Sequence, residues 1–523
     1  MSRSRYRWLW VAALAWLALG LAACSKSGDG AADTAGPKFS VLAGSELRDI
    51  EPAMLKAARE AGVALTMSYA GTLDIVERIN AGEHFDAILP PNGAYPALAL
   101  STKPLAREKL FYSRVAIGVK AAKLRALGWD KRNPNWADVA KAAGDGRLRY
   151  AMTNPSSSNT GMSALFAVAS AVAGKTEDLN AAEVNARVLT AFLSGQKLTA
   201  GSSGWLAEAF VKEASGLDAM VNYEAVILRT NAKLAEADRL TLVYPQDGVI
   251  SADYPLMLLE ASKRSDYDKL VAAFKSPAFQ RDSIASAYLR PAVPDVPLAA
   301  GLSAAAVAEL SFPNRLDVID TVLGAYQGEW RRPATSIFVL DISGSMRGER
   351  LSAMRDALKF LAGADARSAT ARYARFQKRE RVVLIAFSDT VEPPVQVNFE
   401  AAQVDAARAQ VIAYADALQV KGGTGIYAAL LEAEAIATKE RAGDPNRFVS
   451  IVLLTDGENN NGPDLKAFQA QIGAQAAARI FPILFGEGNT ADMGALAHGT
   501  GGKTFDGRKE ALALVFKEIR GYQ

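Results

Sequence analysis

The 523-residue chain is short of the side chains that thiol chemistry and most metal cages need. It has one cysteine, Cys24, so no disulfide can form within the chain. It has two histidines, His84 and His498, too few for a histidine-built zinc site and a poor start for a Ser-His-Asp hydrolase. A basic excess is also missing. Of 59 basic residues against 56 acidic ones, Arg3, Arg5 and Arg7 fall within the first eight positions, and without these three the counts are equal. That balance argues against a nucleic-acid partner. Beyond the N-terminus no apolar run reaches the roughly 18 residues of a membrane span. What is present is a half-hydrophobic chain with 22% charged residues, the composition of a globular protein. At about 150 residues per domain it has room for roughly three units.

Residues 1–23 have the form of a secretory signal. Arg3, Arg5 and Arg7 make the basic start, and Trp8 to Leu19 is an apolar run of 12 residues, short for a membrane span. An uncleaved anchor helix is the alternative. Leu21-Ala22-Ala23-Cys24 resembles a bacterial lipobox, which implies lipidation of the Cys24 thiol. Each CH2 of such a lipid buried in a bilayer contributes about 0.8 kcal/mol. Ser25 follows the cysteine, and by resemblance to Gram-negative lipoproteins this implies the outer membrane. The chain is thus expected to be lipid-anchored to the cell envelope, facing the periplasm. Residues 24–36 are small and polar and read as a flexible tether.

Residues 37–300 repeat a strand, a small-residue turn and a helix. Phe39 to Ala43 runs into Gly44-Ser45-Glu46, Val63 to Ser68 into Ala70-Gly71-Thr72, and Phe85 to Leu89 into Pro90-Pro91-Asn92. This is an α/β pattern with a parallel sheet. A second lobe is expected from the strand Phe111 to Val119. It carries the hydroxyl-rich run Asn154 to Gly161 ahead of a helix, then Gly201-Ser202-Ser203-Gly204-Trp205 and Asn222-Tyr223-Glu224. The segments VLAGSELRDIEP (41–52), SYAGTLDIVERI (68–79), FDAIL (85–89), TNPSSSNTG (153–161) and YPQDGVISADYPL (244–256) resemble bacterial periplasmic solute-binding proteins of the oxyanion-receptor branch. The resemblance implies two α/β lobes around a cleft. It makes Ser45, Thr72, Asn92, Ser157, Ser158 and Tyr223 the candidate ligand contacts. The same residue types serve as ordinary helix caps in any protein. Pro90-Pro91-Asn92-Gly93 stands where oxyanion receptors usually carry serine, which weighs against a simple oxyanion.

Pro291, Pro294 and Pro297 open a stiff stretch. Residues 301–330 are expected to be connector helices, with a helical pattern at Ala304 to Leu310 and an apolar stripe of Leu316, Val318, Ile319, Val322 and Leu323. A boundary is placed at Trp330-Arg331-Arg332-Pro333.

Residues 331–523 read as a doubly wound α/β domain. Ser336 to Leu340, Val382 to Phe387, Val449 to Leu454 and Ile480 to Phe485 are short apolar runs of the buried parallel kind, each ending in a polar loop. Lys503 to Phe505 reads as an edge strand before a last helix, Glu510 to Ile519. Asp341, Ser343 and Ser345 lie on one such loop, and Thr424 and Asp456 on two others, so all five meet at the carboxyl edge of the sheet. Hard oxygens with only two carboxylates suit Mg2+. The spacing Asp341-x-Ser343-x-Ser345, with Thr424 in GGTGIY and Asp456 in LLTDG, resembles the von Willebrand factor A domain and its metal-ion-dependent adhesion site. The resemblance implies direct ligation by Ser343, Ser345 and Thr424, water-mediated ligation by Asp341 and Asp456, Mg2+ as cofactor with Mn2+ or Ca2+ as substitutes, and a partner protein that gives the metal an acidic side chain.

Gly502-Lys503-Thr504 and Gly174-Lys175-Thr176 imitate phosphate loops, but the glycine required five residues before the lysine's own glycine is Ala497 in one and Ala169 in the other. The basic stretch Arg367 to Arg381, with Asp365 and Glu380 mixed in, reads as a solvated helix face. The expected function is non-enzymatic: a tethered lipoprotein that binds a partner through Mg2+ and holds a small solute. The alternative is the solute receptor of an ABC-type importer with the second domain as a docking module. A Mg2+-dependent phosphoester hydrolase is a weaker rival, with Glu458 its one nearby base.

Overall fold

The structure is a computed structural model that describes residues 38–364, 369–456, 458–473, 476–486, 489–508 and 512–522. The leader, Cys24 and the tether lie outside the described residues.

The first sheet is built on Lys38–Gly44, whose Phe39, Val41, Leu42 and Ala43 are buried. It pairs in parallel with Ala64–Ala70 on one side and Ala87–Leu89 on the other, as the strand–turn–helix repeats predict. The remaining two strands differ from an all-parallel sheet. Pro255–Leu258 enters antiparallel between Ala87–Leu89 and Ala106–Lys109. It arrives from the other lobe, so no local strand–helix unit announces it.

The second sheet is built on the long strand Phe111–Lys120. Ala219–Tyr223, Leu240–Val243 and Ser251–Ala252 pair with it antiparallel, and Tyr150–Met152 joins parallel to Ala219–Tyr223. The chain passes between lobes just before Phe111 and again between Ala252 and Pro255. At the second passage Tyr254 has φ 34° and its N–H donates to the Pro91 carbonyl at 3.0 Å.

The connector follows half of its expected form. Leu316–Ala325 is a helix with Val318, Ile319, Val322 and Leu323 buried in the same core as the two lobes. Ala304 to Leu310 is not helical. It runs extended along the second lobe, with Val249 N–H donating to Ala308 O at 2.9 Å and Leu310 N–H to Val249 O at 2.8 Å. Glu309 accepts from the Ser251 N–H and hydroxyl at 2.7 and 2.9 Å. These tertiary bonds replace the local ladder that alanine propensity alone favours.

The C-terminal region has one six-stranded sheet in the order Val395–Phe399, Glu380–Phe387, Ala334–Asp341, Phe448–Thr455, Arg479–Leu484, Phe505–Asp506. Every pairing is parallel except that of Val395–Phe399, an edge hairpin strand absent from the sequence reading. Ala334–Asp341 is buried along its whole length, and its residues alternate between two cores. Phe338 and Leu340 face the helices Glu349–Leu361 and Val404–Ala417, whereas Ile337 and Val339 face Ile426–Gly443 and Leu465–Ile472. That period of two is why the strand reads as one continuous apolar run.

A buried charge cluster lies within the C-terminal region, at its boundary with the connector. Glu380, 3% exposed, pairs with Arg331, the first residue after the connector, and, at 2.5 Å, with Arg520 of the last helix. Burial and mutual repulsion lower the Arg331 guanidinium to about 9, and burial lowers that of Arg520 to about 10. The regions are joined by other contacts: Asn154 Nδ2 donates to Arg520 O, Thr199 Oγ1 to Gly521 O, and Arg479 forms a two-pronged ion pair with Glu213.

Candidate functional site

Parallel pairing of Ala334–Asp341 with Phe448–Thr455 places Leu340 opposite Leu454, so the polar loops after both strands emerge side by side. Asp341 is fully buried at the end of its strand. Its Oδ1 accepts from Ser343 N–H at 2.8 Å, and its Oδ2 accepts from Thr455 Oγ1 at 2.6 Å. Ser343 Oγ lies 3.0 Å from Ser345 Oγ, and Ser345 Oγ donates to Asp456 Oδ1 at 2.8 Å. Four of the five predicted metal residues thus form one hydrogen-bonded chain. Thr424 reaches the chain through its loop: Lys421 N–H donates to Ile342 O at 2.7 Å and Gly344 N–H to Gly422 O at 3.1 Å. On its other side, Thr424 N–H donates to Asn460 Oδ1 at 2.8 Å, tying it to the loop after Asp456.

Burial of Asp341, with the neighbouring Asp456 charge acting the same way, holds its carboxyl above the ordinary aspartate range. Two carboxylates and three hydroxyls, all hard oxygens, with repulsion between the carboxylates, make a donor set that fits a small divalent cation. Among the described residues no group of three or more His, Cys, Asp or Glu side chains gathers to hold a metal, and this site, with its two carboxylates, relies on hydroxyls for its other donors.

A second feature lies between the lobes. A cavity of about 650 Å3 is lined by Ser45, Arg48, Tyr69 and Gly71 of the first lobe, Ser157, Ser202 and Trp205 of the second, and Lys503, Phe505 and Glu518 of the C-terminal region. The lobes touch beside it, where a Cβ on Gly71 would collide with the Ser157 carbonyl. Lys503 Nζ sits 3.5 Å from the Trp205 ring centroid and pairs with Glu518.

The model of the bacterial extracellular solute-binding protein family matches residues 39–281, and that of the von Willebrand factor type A domain matches residues 337–516. The chain is a fusion of these two modules. Both are binding modules, not enzyme families. A curated relative, inter-alpha-trypsin inhibitor heavy chain H4 of Sus scrofa, is 33% identical over 133 residues, which is 25% of this chain and 13% of that protein. Among solved structures, a ferric binding protein from Campylobacter jejuni is 15% identical, with 54% of this chain and 96% of that one covered at a TM-score of 0.41. A von Willebrand factor type A protein from Catenulispora acidiphila is 20% identical, with 36% and 42% covered at a TM-score of 0.29.

In the solute-binding region the structure gathers only part of the predicted contact set. Ser45 and Ser157 line the cavity. Thr72 is buried in the first turn of Thr72–Asn80, and its Oγ1 has no hydrogen-bond partner among the described residues. Asn92 is spent within the fold: its Nδ2 donates to Ser251 O at 3.0 Å and its Oδ1 accepts from Ala94 N–H at 2.8 Å. Ser158 Oγ faces Thr160 Oγ1 at 3.2 Å, and the buried Tyr223 hydroxyl accepts from Asn159 Nδ2 at 2.9 Å.

Several residues escaped the sequence reading. In the A domain these are Thr455, Asp389, Asn460 and Arg350. Thr455 and Asp389 each lie just past or at the end of a buried strand, the same positional signal that marked Asp341. Around the cavity they are Arg48 and Tyr69, together with Ser202 and Trp205, whose turn is noted in the sequence but not among the ligand contacts. Lys503, set aside within a false phosphate loop, lines the cavity as a wall residue.

Proposed function

We propose that this protein is an extracytoplasmic adaptor. Its A domain holds Mg2+ and takes an acidic side chain of a partner protein, while its solute-binding region holds a small molecule between the lobes. The hydrogen-bonded chain Thr455–Asp341–Ser343–Ser345–Asp456, at the carboxyl edge of the sheet and buried but for Ser345, carries this reading. Ser343, Ser345 and Thr424 would hold the ion directly, with Asp341 and Asp456 behind them. When bound, Mg2+ supplies an electrophilic position that an outside carboxylate can fill. The protein residues orient that position: Asp341 fixes the Ser343 backbone, and Asp456 fixes the Ser345 hydroxyl. Ser345 is exposed, so the site opens to a partner at that side. In this reading the protein is not an enzyme, and lipidation at Cys24 holds it to the envelope.

The test is thermal unfolding of the full chain in Mg2+ and in EDTA. The wild type is expected to gain Tm with Mg2+, and the Asp341→Ala/Ser343→Ala double variant to gain none. A wild type indifferent to divalent cations overturns the reading.

The cavity supports a second reading, a solute receptor of an importer. Its volume falls within the range of about 300–1,000 Å3 common to small-molecule sites. A thermal-shift screen of small solutes against the full chain separates the two. One sharp, saturable shift at micromolar solute favours the receptor, and Mg2+-dependent binding of a partner without any solute shift favours the adaptor.

A further inference from the structure

The A-domain site contains a cation that the metal motif does not include. Arg350 lies in the first turn of Glu349–Leu361, immediately after the Asp341–Ser345 loop. Its guanidinium pairs with Asp456 Oδ2 and donates to Ser345 O at 3.2 Å. The two partners differ in exposure. The Asp456 carboxylate is fully buried, whereas the Arg350 side chain is 43% exposed. Asp456 cannot leave the site, but Arg350 can swing into solvent.

The consequences are electrostatic. A buried carboxylate without a counter-charge is costly, and here two of them lie close enough that the Asp456 charge acts on Asp341. A guanidinium on Asp456 offsets that cost. A divalent ion at the same carboxylate faces a positive charge within a few ångströms, so ion and guanidinium oppose each other. Asp456 Oδ1 is already committed to Ser345, leaving Oδ2 as the oxygen that either the guanidinium or a water bound to the ion would engage.

We infer that Arg350 is a resident counter-cation for Asp456, which a metal ion must displace, and that it sets the metal affinity of the A domain. This rests on the metal-site reading above. Once displaced, the guanidinium stands at the rim beside the exposed Ser345, where it meets a partner's acidic surface. Metal occupancy and partner attraction are then coupled through one side chain.

The experiment is calorimetric titration of the full chain with Mg2+ and Mn2+, comparing wild type, Arg350→Gln and Arg350→Lys, with Asp456→Asn as the site control. Arg350→Gln is expected to bind both ions roughly tenfold more tightly, because it removes one nearby repelling charge. Arg350→Lys keeps the charge and should stay near the wild type. Unfolding gives a second readout. In EDTA, Arg350→Gln should have a lower Tm than the wild type, and its Tm gain on adding Mg2+ should be larger. A merely structural arginine would lower Tm by the same amount with and without metal. Wild-type binding with no tightening in Arg350→Gln overturns the inference and leaves the metal site intact. If neither the wild type nor Arg350→Gln binds either ion, the metal-site reading falls, and this inference with it.

Discussion

The two candidate sites of this chain are built in opposite ways. In the A domain the polar side chains answer one another: Thr455, Asp341, Ser343, Ser345 and Asp456 form a closed sequence of hydrogen bonds on adjacent loops. Between the lobes the cavity is bounded by three separate parts of the molecule, and one of its walls belongs to the A domain. The first arrangement is a preorganised site on a rigid sheet edge. The second depends on how three bodies are docked. A substitution within the motif should therefore act locally, whereas one at the junction should reach the cavity from a distance.

The sharpest way to break this contrast is at the junction. Glu380→Ala strands two buried guanidinium groups, Arg331 and Arg520, and should cost about 3–5 kcal/mol in denaturant unfolding. If the regions are as tightly docked as the Asn154, Thr199 and Glu213 contacts imply, the loss should shift the unfolding of both. Unfolding of the A domain alone would show that the cavity does not depend on it.

A smaller effect is expected within the metal loop. Gly422 has φ +65°, and a Cβ there would collide with the Asp389 carboxylate. Gly422→Ala should cost roughly 1–3 kcal/mol and weaken Mg2+ binding, because the same loop carries Thr424. Unchanged metal affinity would detach Thr424 from the site.

The lobes should respond to pH where Glu46 crosses between them. Glu46 is 7% exposed, and its Oε2 accepts from Ser203 Oγ at 3.2 Å. Burial raises its carboxyl above the ordinary glutamate range. The folded state therefore keeps a proton that the unfolded state has released. Its contribution to stability is full below the unfolded value and is lost as pH rises through the raised folded one. One such proton gives a slope of at most about 1.4 kcal/mol per pH unit. In Glu46→Gln the stability of the solute-binding region should lose this slope and be higher at neutral pH. A slope that survives the substitution assigns it to another group.

The smallest effect belongs to Lys503. Lys503→Met removes the contact with Trp205 and the pair with Glu518, and should cost about 0.5–1 kcal/mol, typical of a partly exposed cation–π contact. Mg2+ affinity should be unchanged. A change in metal binding would mean that the cavity wall and the metal loops communicate.

The contrast between the sites also explains what could be read from the sequence. The four central A-domain strands are legible because each is a continuous apolar run buried on both faces, and Asp341, Thr424 and Asp456 are legible because each ends or follows such a run or opens the next helix. Arg350 was not, since an arginine on an exposed helix turn reads as a solvated side chain and its partner lies 106 positions away. Most of the first-lobe sheet was legible from local strand–turn–helix units, but Pro255–Leu258 was not, because it returns from the other lobe. The cavity was the least legible feature. Ser45 and Ser157 carry the short hydroxyls that mark a ligand turn, whereas Trp205 and Lys503 become wall residues only through domain docking. Asn92 had the right type and position, but Ser251 and Ala94 satisfy its amide.

The most direct test of the central claim is anomalous diffraction from crystals of the full chain grown with Mn2+. The account predicts one strong peak bounded by the Ser343, Ser345 and Thr424 hydroxyls, with Asp341 and Asp456 behind it and Arg350 turned away from Asp456. A fully ordered A domain with no peak at that rim, and Arg350 still seated on Asp456 in saturating Mn2+, would contradict it.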